Sequence, residues 1–384
     1  MSARLAAVAP IADEANESAL SGHRDPSWDL PVPGRMRVLK NWDEYIAVAS
    51  KVIGRFHGEF QLCHFEYEHP IRLQPRTVRR LRRRYRVSVA YTDWGRPDAP
   101  LVVCCGGVAN VAARFNYLAS DLCKHFRIVC MDWVGRGRSG WLATEDDYSM
   151  ATYVEQLRQM LEHLGGGQAT ILGSSLGGNV AIELAARYPK RIDRLILNDI
   201  GPFVPARRRR RRADTLARHY VFRDPADMLR RVGASQKNDG PVSDDVRFNL
   251  TFHQTRWSDE EGGRVYRHDV RALQAYRRDA QTSLRQWGHW AKVRCPILLI
   301  HGMQSDVLSQ STIRRMSPGE RLTLMHVPDT GHTPMLADRN QISFVRDWLL
   351  DIGAAEREWS VLHALPRERH PWVPLNFAPL NVLQ

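Results

Sequence analysis

The chain has 384 residues and carries 55 Lys and Arg against 42 Asp and Glu, a formal charge of +13. No window reaches the ~18 consecutive apolar residues that a membrane span needs, and residues 1–30, broken by Pro10 and by acids, make a poor secretory signal. The cysteines show neither a CxxC pair nor metal-ligand spacing; Cys104, Cys105, Cys130 and Cys295 sit in or beside apolar runs, which reads as free thiols in a reducing cytoplasm.

In chain order, residues 1–40 lack periodicity and are expected to be disordered. An extension over 41–84 holds a helical pattern, "WDEYIAVASKVIGRF", and a strand-like run, "FQLCHFEYE". It ends in the arginine run "RTVRRLRRRYR" (76–86), where Tyr85, Val87, Val89 and Tyr91 begin to alternate as a half-exposed strand. From there, apolar runs of strand length alternate with helical patterns: "LVVCC", "FRIVCMDW", "ATILG", "RLILND", "PILLIHG" and "RLTLMHV". Right-handed crossovers turn this alternation into a doubly wound, mainly parallel α/β sheet, with its core over 41–201 and 295–352. Residues 202–294 break the rhythm with a helical, arginine- and aromatic-rich insertion that opens on "RRRRRR" (207–212). Neither arginine run is interleaved with stacking aromatics, so a solvated basic face is expected rather than a nucleic-acid partner. Residues 353–384 are Pro-rich and read as an extended tail.

The chemistry concentrates in "ATILGSSLGGNVAIELAARYP". Only Ser175, with Gly173 and Gly177 two residues away on either side, is in G-x-S-x-G register; Ser174 has leucines at those places. A serine on a sharp strand-to-helix turn is lifted above the sheet, and glycines avoid collision at the flanks. Such a hydroxyl needs a base, and the base needs an orienting acid, in the chain order serine, acid, histidine. Asp306 in "LLIHGMQSDVLS" and His332 in "LMHVPDTGHTPML" both follow strands and leave the sheet at its carboxyl edge, the edge of Ser175. Asp199 in "LILNDIG" also ends a strand and is the alternative acid. His301, at the end of its strand, reads as packing near the site rather than as the base, His326 reads as a strand residue, and His253 of the insertion could reach a pocket but has no carrying motif. The oxyanion donors are expected from the backbone N–H of Leu176 and from the loop "GGVANVAARF", at Gly107 or Val108.

With these residues in place, the chain resembles the α/β-hydrolase superfamily over roughly 85–352. "DWVGRGRSG" (132–140) matches that family's D-x-x-G-x-G-x-S turn after its fourth strand, with Asp132, Gly135, Gly137 and Ser139. The resemblance implies that 202–294 is the cap over the active site. One departure is Cys105-Gly106 where relatives usually carry His-Gly before the oxyanion loop. The literal G-x-G-x-x-G at 135–140 opens a loop rather than a helix, so no dinucleotide site is expected. No metal site and no cofactor are called for. A serine at the elbow excludes the carboxylate-nucleophile dehalogenases and epoxide hydrolases of this fold. The expected activity is hydrolysis of a carboxylic ester on a small, apolar or anionic molecule. Thioesterase, lactonase and intracellular polyester depolymerase are the alternatives on the same triad, and a non-enzymatic ligand-binding protein is the alternative of a different class.

Overall fold

The computed structural model describes residues 39, 41–81, 84–216, 218–235, 240–316 and 321–351. The expected disordered segment 1–40, apart from Leu39, and the expected tail 353–384 lie outside the described residues.

Helix α1, Trp42–Ile53, is capped by Asn41, whose side chain accepts from the Glu44 N–H at 2.9 Å. Eight strands follow in one sheet: β1 Phe60–His69, β2 Tyr85–Trp94, β3 Leu101–Cys105, β4 Arg127–Met131, β5 Ala169–Ser174, β6 Ile192–Asn198, β7 Ile297–Gly302 and β8 Leu322–Val327. Their spatial order is β1-β2-β4-β3-β5-β6-β7-β8. Strand β2 runs antiparallel to both of its neighbours, and from β4 to β8 the sheet is parallel, the doubly wound arrangement expected from the alternation.

Pleating divides each central strand between two cores. Val103, Val129, Ile171, Leu195 and Leu299 face one side. Val102, Ile128, Leu172, Ile196 and Leu298 face the other. Helix α2, Asn116–Leu122, covers the second face, and α3, Met150–His163, and α4, Leu176–Arg187, cover the first. Both faces being covered explains why these strands read as continuous apolar runs.

Between β6 and β7 the insertion carries α5 Ala206–Leu216, α6 Pro225–Ser235, α7 Asp244–Gln254 and α8 Val270–Asp279. It is not wholly helical. Thr255–Ser258 and Gly263–Tyr266 pair as a hairpin, with Val221–Phe222 on its outer edge, and Phe203–Val204 pairs with Leu284–Arg285. The hairpin segments "TRWS" and "GRVY" are rich in aromatic and β-branched residues, and Gly262, at φ 63°, supplies the left-handed backbone of the turn between them. The extension also divides differently from expectation. Strand β1 joins the main sheet, whereas Tyr45, Ala49 and Val52 of α1 pack with Leu39 against Phe222, Met228, Leu229 and Phe248 of the insertion. After β8, helix α9, Arg339–Leu349, packs on the second face and ends the described chain.

Candidate active site

Strand β5 ends at Ser174 and α4 begins at Leu176, which leaves Ser175 alone on the turn at φ 51° and ψ −113°. That left-handed backbone is unfavourable for any residue with a Cβ, and it persists because the surroundings leave no alternative. A Cβ on Gly173 would lie 2.5 Å from the backbone of Gly178, and one on Gly177 would lie 2.2 Å from the Cys105 carbonyl oxygen. Strand, turn and helix therefore touch backbone to backbone, and the Ser175 hydroxyl is pushed above the sheet. Ser174 points away from that edge: it is fully buried, and its hydroxyl accepts from Asn198 Nδ2 at 3.0 Å.

His332 lies on the loop after β8, with Nε2 3.1 Å from Ser175 Oγ and Nδ1 2.9 Å from Asp199 Oδ2. A carboxylate can only accept, so Nδ1 carries the proton and Nε2 faces the serine as the acceptor. Asp199 directly follows β6 at φ 53°, is completely buried, and accepts at Oδ1 from the Gly302 N–H at 3.1 Å and at Oδ2 from Ser305 Oγ at 2.5 Å. The His332 loop is held from two sides. Arg114 Nη2 donates to the Thr333 carbonyl at 2.6 Å, and Asn198 Nδ2 donates to the Pro334 carbonyl at 2.8 Å.

This geometry does not bring the expected acid to the histidine. Asp306 does not meet His332; its carboxylate is held by Arg208 of α5, with Arg211 3.8 Å away. The reason lies in the loop after β7, where Ser305 N–H donates back to the Gly302 carbonyl at 2.8 Å. That turn sends the Ser305 hydroxyl inward to Asp199 and leaves Asp306 facing the insertion, half exposed. The alternative, Asp199, is the carboxylate brought to the histidine.

Of the expected oxyanion donors, the Gly107 N–H is already committed to Asn110 Oδ1 at 2.9 Å. Val108 and Leu176 line the cavity that contains Ser175 and His332, and the Leu176 N–H opens the first turn of α4, where amides have no intrahelical partner. Three side chains brace this loop. Trp133 Nε1 donates to the Gly106 carbonyl at 2.8 Å, Arg136 Nε donates to the Val108 carbonyl at 2.8 Å, and Asn110 closes the turn. Arg136 is fully buried, donates to Tyr153 OH at 2.6 Å, and has no carboxylate within ion-pair distance among the described residues. None of Asn110, Trp133 and Arg136 carries a signal in the sequence beyond its place in or beside a glycine-rich loop. The rest of the D-x-x-G-x-G-x-S turn is a brace. Asp132 accepts from the Ala112 and Arg138 N–H groups at 2.7 and 2.9 Å, and Ser139 Oγ accepts from the Ala90 N–H at 2.9 Å.

The cavity above Ser175 has a volume of about 490 Å³ and is shared between the sheet edge and the insertion, which contributes Val204, Tyr276 and a set of arginines. Asn179 of α4 exchanges side-chain and backbone hydrogen bonds with Gln286, at 2.9 and 3.0 Å, and so ties α4 to the end of the insertion. His301 and His326 meet each other at Nδ1, 3.0 Å apart, rather than Ser175. His253 is buried beside Arg138 and Arg267 away from this cavity; burial, then those two charges, push its pKa down to about 3. Among the described residues no cluster of His, Cys, Asp or Glu is placed to hold a metal, and no helix is long and apolar enough to cross a membrane.

Residues 99–338 match the family model described as alpha/beta hydrolase fold. A 3-hydroxybutyrate-oligomer hydrolase of Cupriavidus necator is 29% identical over 266 residues, which are 66% of this chain and 90% of that protein. An alpha/beta hydrolase of Novosphingobium aromaticivorans superposes with a TM-score of 0.65 at 21% identity, over 77% of this chain and 99% of its own. An esterase of Mycobacterium tuberculosis gives a TM-score of 0.56 at 21% identity, over 80% and 98%. At that identity the two structures speak to fold alone.

Proposed function

The chain belongs to the alpha/beta hydrolase family, and on that premise we propose that it hydrolyses carboxylic esters, with Ser175 as nucleophile, His332 as base and Asp199 as the orienting acid. One observation carries this reading: the unbroken path from Ser175 Oγ to His332 Nε2 at 3.1 Å and from His332 Nδ1 to Asp199 at 2.9 Å, built on a serine in left-handed backbone. Ser175 Oγ attacks the ester carbonyl while His332 Nε2 takes its proton, and the buried Asp199 carboxylate stabilises the imidazolium that forms. The N–H groups of Leu176 and Val108 receive the oxyanion; the commitment of the Gly107 N–H to Asn110 favours Val108 as the loop's donor. His332 returns the proton to the departing alcohol, and water then frees the acid from Ser175 by the same steps in reverse roles.

The likeness to a 3-hydroxybutyrate-oligomer hydrolase supports an ester of a short hydroxy acid as the substrate. The insertion acts in this reading as a cap that keeps the reacting carbonyl away from bulk water.

Treatment with a fluorophosphonate and measurement of intact mass tests the assignment. One adduct is expected on the wild type and on Ser174→Ala, and none on Ser175→Ala. Labelling that survives in Ser175→Ala would refute it. A panel of hydroxy-acid esters, graded alkyl esters and matching thioesters then fixes the bond and the acyl length.

A further inference from the structure

Six arginines line the cavity over Ser175, namely Arg136, Arg208, Arg209, Arg211, Arg212 and Arg285, against two carboxylates, Asp279 and Asp306. Burial pushes the Asp279 carboxyl up, against the pull of Arg209 and Arg278. The arginines are not equivalent. Arg136 is committed to the oxyanion loop, and Arg209 donates to the Asp279 and Thr282 carbonyls at 2.7 and 2.6 Å. Arg208 holds Asp306. Arg211 reaches that carboxylate only at 3.8 Å, with its side chain 77% exposed. Arg212 and Arg285 have no carboxylate partner among the described residues, and the Arg285 guanidinium stacks on Phe203 at 5.2 Å.

This concentration of charge works against the local fold. Arg207, Arg208 and Arg209 fall in the first turn of α5, where the helix dipole disfavours cations. Like charges three and four residues apart, as between Arg208 and Arg211 or Arg208 and Arg212, repel. Four of these arginines, Arg208, Arg209, Arg211 and Arg212, turn toward the cavity that also holds Ser175, and Asp214, three residues after Arg211 on the same helix, pairs with Arg277 instead. Guanidinium groups pair with carboxylates in a planar fork, and Asp306 on Arg208 already places a carboxylate against this wall.

We propose that Arg211, Arg212 and Arg285 form a carboxylate receiver, so that the substrate is an ester carrying a free carboxylate away from the bond that is cleaved. The substrate class rests on reading Ser175 as the nucleophile; the receiver itself does not.

Binding to the Ser175→Ala protein separates the two. Monomethyl adipate and its neutral counterpart, methyl adipamate, have the same ester and nearly the same size. By calorimetry at low salt the acid is expected to bind about tenfold more tightly than the amide, with the advantage shrinking in about half-molar sodium chloride. The double variant Arg211→Glu/Arg212→Glu, made on the same background, should lower that ratio at least tenfold. Arg79→Glu/Arg80→Glu, the same change of charge on exposed residues of the earlier arginine run, should leave it in place. Equal affinity for the two esters, or a ratio that Arg211→Glu/Arg212→Glu does not move, would overturn the receiver. Loss of the ratio in Arg79→Glu/Arg80→Glu would also overturn it, by showing that overall charge is the cause. Hydrolysis of monomethyl adipate by the wild type is read separately. Its absence would count against Ser175 as an esterase nucleophile while the binding ratio still decides the receiver.

Discussion

The ends of β6 and β7 lie side by side at the carboxyl edge of the sheet, and each is followed by an aspartate. After β6, Asp199 is completely buried and accepts three hydrogen bonds, from Gly302, Ser305 and His332. After β7, Asp306 is half exposed and is held by an arginine of the insertion. The two differ in surroundings rather than in chemistry. A carboxylate that orients a base must be fixed by donors and shielded from water, because a mobile, solvated one neither holds the imidazole nor stabilises its charge. Ser305, only one residue before Asp306, serves the other aspartate, so the loop after β7 supports the proposed acid without supplying it.

Ser175→Ala should have the largest effect on this contrast, with esterase turnover down at least about 10⁴-fold and no phosphonate adduct. Asp199→Asn should lower kcat about 10³- to 10⁴-fold with the fold intact, because the Asn oxygen still accepts from Gly302 while the imidazole loses its anionic partner. Ser305→Ala should cost about tenfold in kcat, read under saturating ester, since one of the donors that fix Asp199 is removed. The smallest effect concerns stability. Burial, and then His301, depress the His326 pKa from 6.5 to about 4, so between those values the unfolded chain binds the extra proton. The neutral ring contributes its stability above about pH 6.5, and that contribution is lost as pH falls toward about 4. Tm should therefore drop over this range, and the drop should be shallower in His326→Gln, by thermal unfolding followed across pH.

Much of the framework was legible from residues alone. Continuous apolar runs gave a buried parallel sheet, and glycine spacing separated Ser175 from Ser174 because only one serine could sit on a turn without flanking side chains. The order of motifs led to His332. The acid was not decidable in the same way, since Asp199 and Asp306 each follow an apolar strand at the same edge. What separates them is a left-handed backbone at Asp199 and a turn at Gly302–Ser305, and both depend on the neighbouring strand. The loop braces were equally hidden. Arg114 reaches Thr333 and Trp133 reaches Gly106 across long sequence separations that no local pattern encodes. The hairpin in the insertion is not legible from residues alone, because helical patterns on both sides dominate a short alternating stretch.

The central claim is that Asp199, and not Asp306, is the acid behind His332. Its most direct test is the second-order rate of labelling by a small neutral fluorophosphonate in Asp199→Asn and Asp306→Asn, measured beside the wild type. The account predicts a rate reduced at least about a hundredfold in Asp199→Asn and within about threefold of wild type in Asp306→Asn. The reverse order, with Asp306→Asn slow and Asp199→Asn near wild type, would contradict it.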